Sequence, residues 1–403
     1  VLFDLQQILF CVLKYCIYIY IYMSFFLPLN NGTLKNAVNA FCSGGIMHDL
    51  IGVPIGSWDV SGCTDMSGLF SSKTTFNGDI SNWDVSQVTD MSDMFANAST
   101  FNQPLNRWNV SQVTDMNRMF AFATKFNQPL NSWNVSQVTN MRLMFVNARA
   151  FNQPLDWDVS QVTNMSHMFY NTAFNQPLNS WNVSQVTNMR SMFYNTAFNQ
   201  PLNSWNVSQV TNMGDMFANT AFNQPLNSWD VSRVTDISFM FYFAKAFNQP
   251  LNSWVVSQVT SMEAMFYYAE AFNQPLNSWV VSQVTKMEGM FANTAFNQPL
   301  NSWDVSQVTN MSHMFYRAST FNKPLNNWVV SQVTNMQGMF FLATTFNQNI
   351  RNWKVGLATS TNHMFRDATA YLSRTPPVPT TPPSAYFNQA VVAAGNICFL
   401  GDE

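Results

Sequence analysis

Charged side chains are scarce in this sequence. Only 10% of its 403 residues are Asp, Glu, Lys or Arg, and the formal net charge is −3. A protein that binds nucleic acid needs a basic face to meet the phosphates, and this composition does not supply one. The sequence therefore predicts no nucleic-acid partner.

Cysteine and histidine are also rare, and neither is arranged for chemistry. The four histidines show no metal-ligand spacing. Cys42 and Cys63 either form a disulfide, in an oxidising compartment, or remain two free thiols. There is no glycine-rich phosphate loop, no G-x-S-x-G motif and no catalytic Cys/His pair. We expect a protein that is not an enzyme and that has no cofactor and no metal site.

A regular repeat fills most of the chain. The 13 tryptophans lie 24 or 25 residues apart, from Trp58 to Trp353. A period in this range is typical of solenoids, in which each coil buries its apolar face against its neighbours. We expect a solenoid of about 13 coils over residues 58–374.

Aligning the repeats on tryptophan shows which columns are apolar. Phe stands twelve residues after Trp in every repeat, and the columns eight and eleven after Trp hold 23 of the 25 methionines. Met can bind soft metals, but its register with Phe favours a role in the core. The spacing of three and four residues predicts a short helix at the Met-Phe end of each coil. The Asp, Asn or Ser seven residues after Trp would be its N-cap, and a short strand is expected over the preceding Gln-Val-Thr.

The repeat resembles a known one. The pattern W-x-V-S-x-V-T-x-M-x-x-M-F-x-x-A-x-x-F-N-x-x-L, which recurs from residue 58 to about residue 370, is similar to that of the BspA-like, leucine-rich-repeat-like surface-protein family. The same repeat is found in mycoplasma-type lipoproteins. The resemblance implies a right-handed α/β solenoid on a cell-surface or secreted protein, with adhesion or ligand binding as its usual function and without catalysis.

The two ends of the chain differ from the repeats. Residues 1–30 form an apolar leader, within which residues 8–29 could span a bilayer. This leader is either a signal peptide or membrane anchor, or an artefact of gene prediction with Met23 as the true start. Residues 31–57 are predicted to be an N-terminal cap with a helix over 33–41. Residues 375–385 are predicted to be a Pro/Thr-rich linker, and residues 386–403 receive no assignment.

Asn follows the second Phe of the repeat in all twelve repeats that have this Phe. Stacked coils would bring these amides into a ladder, in which each side chain can bond the backbone of its neighbour. We expect this structural role for Asn102, Asn127, Asn152, Asn175, Asn199 and Asn223.

Variation among the repeats concentrates nine, ten, thirteen and fourteen residues after Trp. Tyr occupies the thirteenth position in several middle and late repeats, whereas the first three repeats carry Ser or Ala there. Exposed aromatic rows are enriched at binding sites. The rings either line a ligand surface or pack side by side to cover the coils. The ligand hypothesis names Tyr170, Tyr194, Tyr242, Tyr267 and Tyr316.

These observations predict a non-enzymatic cell-surface or secreted scaffold that mediates adhesion or binds protein or glycan. Contact with a membrane would occur only through residues 8–29. One alternative is a structural wall or matrix protein without a discrete ligand. Another is an ice- or mineral-binding array formed by the column of Thr six residues after Trp.

Overall fold

The structure is a computed structural model that describes residues 29–43, 54–374 and 378–388. The chain divides into two compact units, Val1–Val210 and Thr211–Glu403. Each unit is a stack of coils, and each coil begins at one tryptophan of the repeat. The boundary between the units falls inside the coil that begins at Trp205.

In unit 1 the core consists of side chains stacked in columns, with one member from each coil. The ring centroid of Phe95 lies 5.5 Å from that of Phe120 and 4.1 Å from that of Phe101. Trp108 and Trp133 stack in the same way at 6.5 Å. The Val, Met and Leu side chains that recur in each coil are also buried. Because each coil presents the same side chains at the same places, one coil covers the apolar face of the next.

A backbone ladder joins neighbouring coils. The amide of Thr114 donates to the carbonyl of Thr89 at 2.9 Å, and a parallel β-bridge pairs Asp90 with Asp115. Such bridges recur in both units and are isolated. The strand predicted over Gln-Val-Thr is therefore reduced to one bridge immediately after it, and the described residues contain no named strand.

The helix predicted at the Met-Phe end of the coil is wrong. Residues 92–97 form consecutive turns, in which the amides of Met94 and Ala96 donate to the carbonyl three residues earlier. The amides of Asp93 and Phe95 donate instead to carbonyls of the next coil, both at 2.8 Å. An α-helix would bond all of these amides within the coil. Alternate amides are used for stacking instead.

Left-handed backbone explains why no helix forms there. Asp93 has a φ of 55° and Asn97 a φ of 61°. These residues stand ten and fourteen after Trp, and both columns have positive φ in every coil. A left-handed residue ends an α-helix. The sequence carried a signal, since Gly occurs three times in the first column and Asn six times in the second, and both tolerate this conformation.

The side chain seven residues after Trp closes a turn rather than capping a helix. The Asp90 carboxylate accepts a hydrogen bond from the amide of Ser92 at 2.8 Å, two residues further on. Its backbone carbonyl accepts from the amide of Met66 in the preceding coil at 3.0 Å. The side chain thus satisfies a free amide, as a cap would, but in an Asx turn.

Unit 2 is built from the same columns. Phe241 and Phe266 stack with 5.7 Å between ring centroids. In the last coil Tyr371 replaces the second Phe, and it stacks 5.5 Å from Phe346 and 4.2 Å from Phe365. A short helix, Thr369–Leu372, carries this tyrosine.

Helix α1, Asn31–Cys42, covers the first coil. The side-chain oxygen of Asn31 accepts the backbone amide of Thr64 at 2.9 Å. In later coils the preceding coil accepts this amide, so α1 stands in for the missing neighbour. Its buried residues are Leu34, Ala37 and Val38.

The described part of the predicted linker, residues 378–385, packs against the last coil, and residues 386–388 of the unassigned tail continue this segment. It runs antiparallel to that coil, since the amide of Phe365 donates to the carbonyl of Thr380 and the hydroxyl of Thr361 donates to that of Pro382. Phe387 is 1% exposed and stacks 6.4 Å from Trp353. Residues 378–385 are therefore packed on the last coil instead of being a free linker, because this segment buries an apolar end face that would otherwise meet water. We call residues 378–388 the C-terminal strap.

The predicted apolar leader lies outside the described residues up to residue 28. Within the described part of the chain, no helix is long and apolar enough to cross a membrane. Leu29 is buried, and its carbonyl accepts from the thiol of Cys63 at 3.1 Å. Cys42 and Cys63 are free thiols.

Candidate functional site

The five tyrosines of the ligand hypothesis fall in two places, and all five are half-buried. In unit 1 Tyr170 and Tyr194 stack face to face, with 4.5 Å between their centroids. In unit 2 Tyr242, Tyr267 and Tyr316 line one cleft. The structure therefore brings together the second group of three and, separately, the first pair.

The pair in unit 1 lies beside a histidine. The His167 ring is 5.9 Å from that of Tyr170. Burial lowers the pKa of His167, and the positive charges of Arg142 and Arg190 lower it further. The side chain is therefore neutral at neutral pH. This part of unit 1 is an aromatic pair beside positive charge.

The cleft in unit 2 has a volume of about 490 Å³. Six aromatic rings line it, together with two glutamates, one histidine and the small residues Ala264 and Gly289. A volume of this size is typical of ligand pockets. The aromatic residues are Phe239, Tyr242, Tyr267, Tyr268, Tyr316 and Phe341.

Two small residues in one coil open the cleft. In the coil that begins at Trp279, Ala292 occupies the thirteenth position, between Tyr267 and Tyr316 of the flanking coils. The tenth position of the same coil is Gly289, with a φ of 60°. A Cβ atom on Gly289 would lie 3.1 Å from Cδ2 of Tyr267. The row of rings is thus interrupted, and the gap lies directly against the Tyr267 ring.

The two walls of the cleft are held by contacts between rings. On one side Tyr242 stacks on Tyr267 at 5.2 Å. On the other side Tyr316 meets the ring of His313 edge-on at 5.8 Å and that of Phe341 at 5.3 Å. Because each ring is braced by a neighbour, the walls are formed before any ligand arrives.

Two carboxylates add negative charge to the cleft. Burial raises the pKa of Glu263, and the charges of Glu288 and Asp236 raise it further against the lowering effect of Lys286. The Glu288 carboxylate accepts a hydrogen bond from Nδ2 of Asn310 at 2.7 Å, which fixes its position. The two acids therefore repel each other across a partly desolvated space.

His313 does not offset this charge at neutral pH. Burial lowers its pKa, although the Glu288 carboxylate acts in the opposite direction. A neutral imidazole adds a donor and an acceptor to the lining but no positive charge. Among the described residues that line the cleft, none is Lys or Arg. In addition, no group of three or more potential metal-ligating side chains occurs in the described part of the chain.

The asparagine ladder runs along another column. In unit 1 the Asn127 side-chain oxygen accepts from the backbone amide of Asn152 at 3.0 Å and from Nε2 of Gln153 at 3.2 Å. The glutamine contribution was missed by the sequence reasoning. Equivalent backbone-to-side-chain bonds involve Asn102, Asn175 and Asn199 in unit 1, and Asn223 in unit 2.

Sequence reasoning also missed Glu263, Glu288, Gly289 and His313. Variation nine and ten residues after Trp was visible, but a helix was expected at these positions. The run of turns and the small side chain of Ala292 decide which of the variable side chains share a cleft. A helix at these positions would have grouped the side chains differently, so the cleft could not be predicted.

Fold and site together define a repeat solenoid with an aromatic, acidic cleft on one of its units. A family model described as a Mycoplasma protein of unknown function, DUF285, matches residues 45–156, 132–221, 210–296 and 276–376. The chain belongs to this family. The mycoplasma-type repeat identified from the sequence is confirmed by this match.

Two solved structures are similar to the chain. A leucine-rich repeat protein from Bacteroides ovatus matches at 10% identity with a TM-score of 0.36, covering 70% of this chain and 65% of the other. The chain thus spans less than two thirds of that protein. A leucine-rich cell surface protein from Faecalibacterium prausnitzii matches at 13% identity with a TM-score of 0.30, covering 71% of this chain and 82% of the other. No curated protein matches the chain.

Proposed function

We propose that the protein is a non-enzymatic repeat scaffold, located at the cell surface or secreted, which binds a protein or glycan partner through the cleft of unit 2. The observation that supports this function is the interrupted aromatic row, which leaves six rings around a space of about 490 Å³.

Stability alone does not account for these rings. Four of the six rings stand thirteen residues after Trp, and other coils carry Ala at that position. In unit 2 these alanines are Ala218 and Ala292, and both are fully buried. A coil can therefore close its core without an aromatic side chain. Half-buried rings around a preformed space are the usual anchors of protein and sugar recognition.

The experiment replaces Tyr242 and Tyr267 with Ser in the full chain. Wild type and variant are screened on a glycan array and against surface-protein fractions, and their melting temperatures are measured. We expect lost binding with an unchanged melting temperature. The control replaces Val255 and Val280, which are 55% and 57% exposed and stand one residue after Trp, with Ser. A large fall in the melting temperature of the tyrosine variant alone would mean that the rings are structural.

A further inference from the structure

The cleft of unit 2 combines aromatic faces with two carboxylates. Lys286, which lies outside the lining, acts on Glu263, and Arg317, also outside it, acts on Tyr267. Glu263 and Glu288 lie in its lining, and His313 is the only titratable nitrogen side chain among the described lining residues. Holding two carboxylates together in a partly desolvated site is unfavourable unless a positive charge joins them. The described lining thus holds two carboxylates and no Lys or Arg, so a cationic group that entered the cleft would meet negative charge.

Rings at the edge of the same cleft already bind guanidinium groups of this chain. Arg317 lies over the Tyr316 ring at 5.4 Å from its centroid, and Arg366 lies over the Phe341 ring at 5.3 Å. These contacts are cation–π interactions. Neither arginine lines the cleft, and Tyr242, Tyr267 and Tyr268 belong to its opposite side. That side offers the same type of ring beside the two acids.

We propose that the cleft receives a basic side chain, Lys or Arg, from an extended segment of a partner polypeptide. The aromatic rings would contact the alkyl stem and the cationic group, and the carboxylates of Glu263 and Glu288 would accept its hydrogen bonds. This inference rests on the proposed function and specifies the ligand class.

A neutral sugar is a poorer match for this lining. Sugar hydroxyls can donate to the two carboxylates, but they leave the repulsion between Glu263 and Glu288 in place. A cation removes that repulsion and adds attraction to both acids. The volume also exceeds that of one basic side chain, so residues flanking it in a polypeptide would fit as well.

The test uses acetylated, amidated peptides Ser-Gly-X-Gly-Ser, in which X is Lys, Arg or norleucine, and the neutral sugar cellohexaose. Binding to the full chain is measured by saturation-transfer NMR, which detects weak complexes. We expect the Lys and Arg peptides to bind at least about tenfold more tightly than the norleucine peptide, the usual value of one charged hydrogen bond.

Two variants test the residues. Replacing both Glu263 and Glu288 with Gln should weaken the affinity for the Lys peptide by about tenfold or more. The control, Glu270→Gln with Asp304→Asn, changes the net charge equally outside the cleft and should leave binding unchanged. A second variant, Ala292→Phe, copies the Gly338 and Phe341 combination of another coil and should fill the gap. It should abolish binding. Because Ala292 is fully buried, some loss of stability from overpacking is also expected, and binding is therefore measured well below the melting temperature of this variant.

Equal binding of the Lys and norleucine peptides, or an unchanged affinity in the double Gln variant, overturns the inference. One outcome separates the two proposals. If cellohexaose binds, if this binding is lost when Tyr242 and Tyr267 are replaced with Ser, and if it is unchanged in the double Gln variant, the basic-ligand inference fails while the proposed function stands. If no probe or screened partner depends on these tyrosines, both fail.

Discussion

The carboxylate of Glu263 lowers the stability of the folded protein at neutral pH, and it also lines the cleft. Its pKa is raised first by burial and then by Glu288 and Asp236, while Lys286 lowers it. The folded protein therefore binds this proton more tightly than the unfolded chain does. Wild type gains stability as the pH falls from above the folded pKa towards the usual Glu value, and at neutral pH the charge is a cost.

Replacing Glu263 with Gln should therefore raise the melting temperature at neutral pH. The gain should vanish at a pH below the usual Glu range, where Glu263 is protonated in both states. Thermal unfolding at the two pH values measures this difference. The control is Glu270→Gln, which removes an exposed carboxylate 3.0 Å from Nζ of Lys245. A lower melting temperature for Glu263→Gln at neutral pH would contradict the prediction.

Backbone conformation, also decided residue by residue, explains what could be read from the sequence and what could not. The buried columns of Trp, Val, Met and Phe were predictable, because burial in a stack requires only that neighbouring coils match. The helix was not, because consecutive turns place apolar residues three and four apart, as a helix does. The difference is carried by left-handed residues such as Asn97 and Asn293, with φ of 61° and 54°.

At the scale of the element, the run of turns depends on residues that accept this conformation. The backbone N–H of Asn293 donates to the backbone carbonyl of Tyr316 in the next coil at 2.7 Å. The left-handed backbone thus points an amide across the stack. A residue that disfavours positive φ would strain both the turn and this bond.

We expect Asn293→Val to destabilise the protein by about 1–2 kcal/mol, since a side chain with a Cβ branch is strained at positive φ. Asn293→Gly should change stability by less than about 0.5 kcal/mol, because glycine adopts this φ freely. The midpoint of chemical denaturation measures both. Gln283→Val in the same coil, at an exposed position without positive φ, is the control. If the two Val variants unfold alike, backbone strain does not control this element.

The cleft arises at the level of neighbouring elements. No single repeat contains it, because its walls come from coils on both sides of Gly289 and Ala292. The sequence identified Tyr242, Tyr267 and Tyr316 individually, but the space between them appears only once coils are stacked with a small residue in between. A repeat scaffold thus acquires a site where one coil departs from its neighbours.

At the scale of the whole molecule, the first coil of unit 1 and the last coil of unit 2 each have an apolar face that no further repeat covers. Helix α1 covers the first coil, and the C-terminal strap covers the last one. The strap was unpredictable from the repeat, because it is rich in Pro and Thr and runs antiparallel to the coil it covers. Proline has no backbone N–H, so Pro382 and Pro383 also offer no donor to a further coil.

Removing the strap should destabilise unit 2 and make the protein associate. A chain ending at Arg374 would expose Trp353, Phe365 and Tyr371, which are buried in the full chain. Apolar end faces of this kind pair with one another. Sedimentation velocity should show concentration-dependent association of the truncated chain but not of the full chain.

A point substitution separates the strap from the residues that follow it. Phe387→Ala removes the ring stacked on Trp353 and should cost about 3–5 kcal/mol, as for other buried Phe side chains. The exposed neighbour Ala385→Ser is the control. If Phe387→Ala unfolds at the same denaturant concentration as the control, the strap does not stabilise unit 2. In that case any association of the truncated chain has another cause. A strap that adds no stability does not shield an apolar face, so its removal would not expose one.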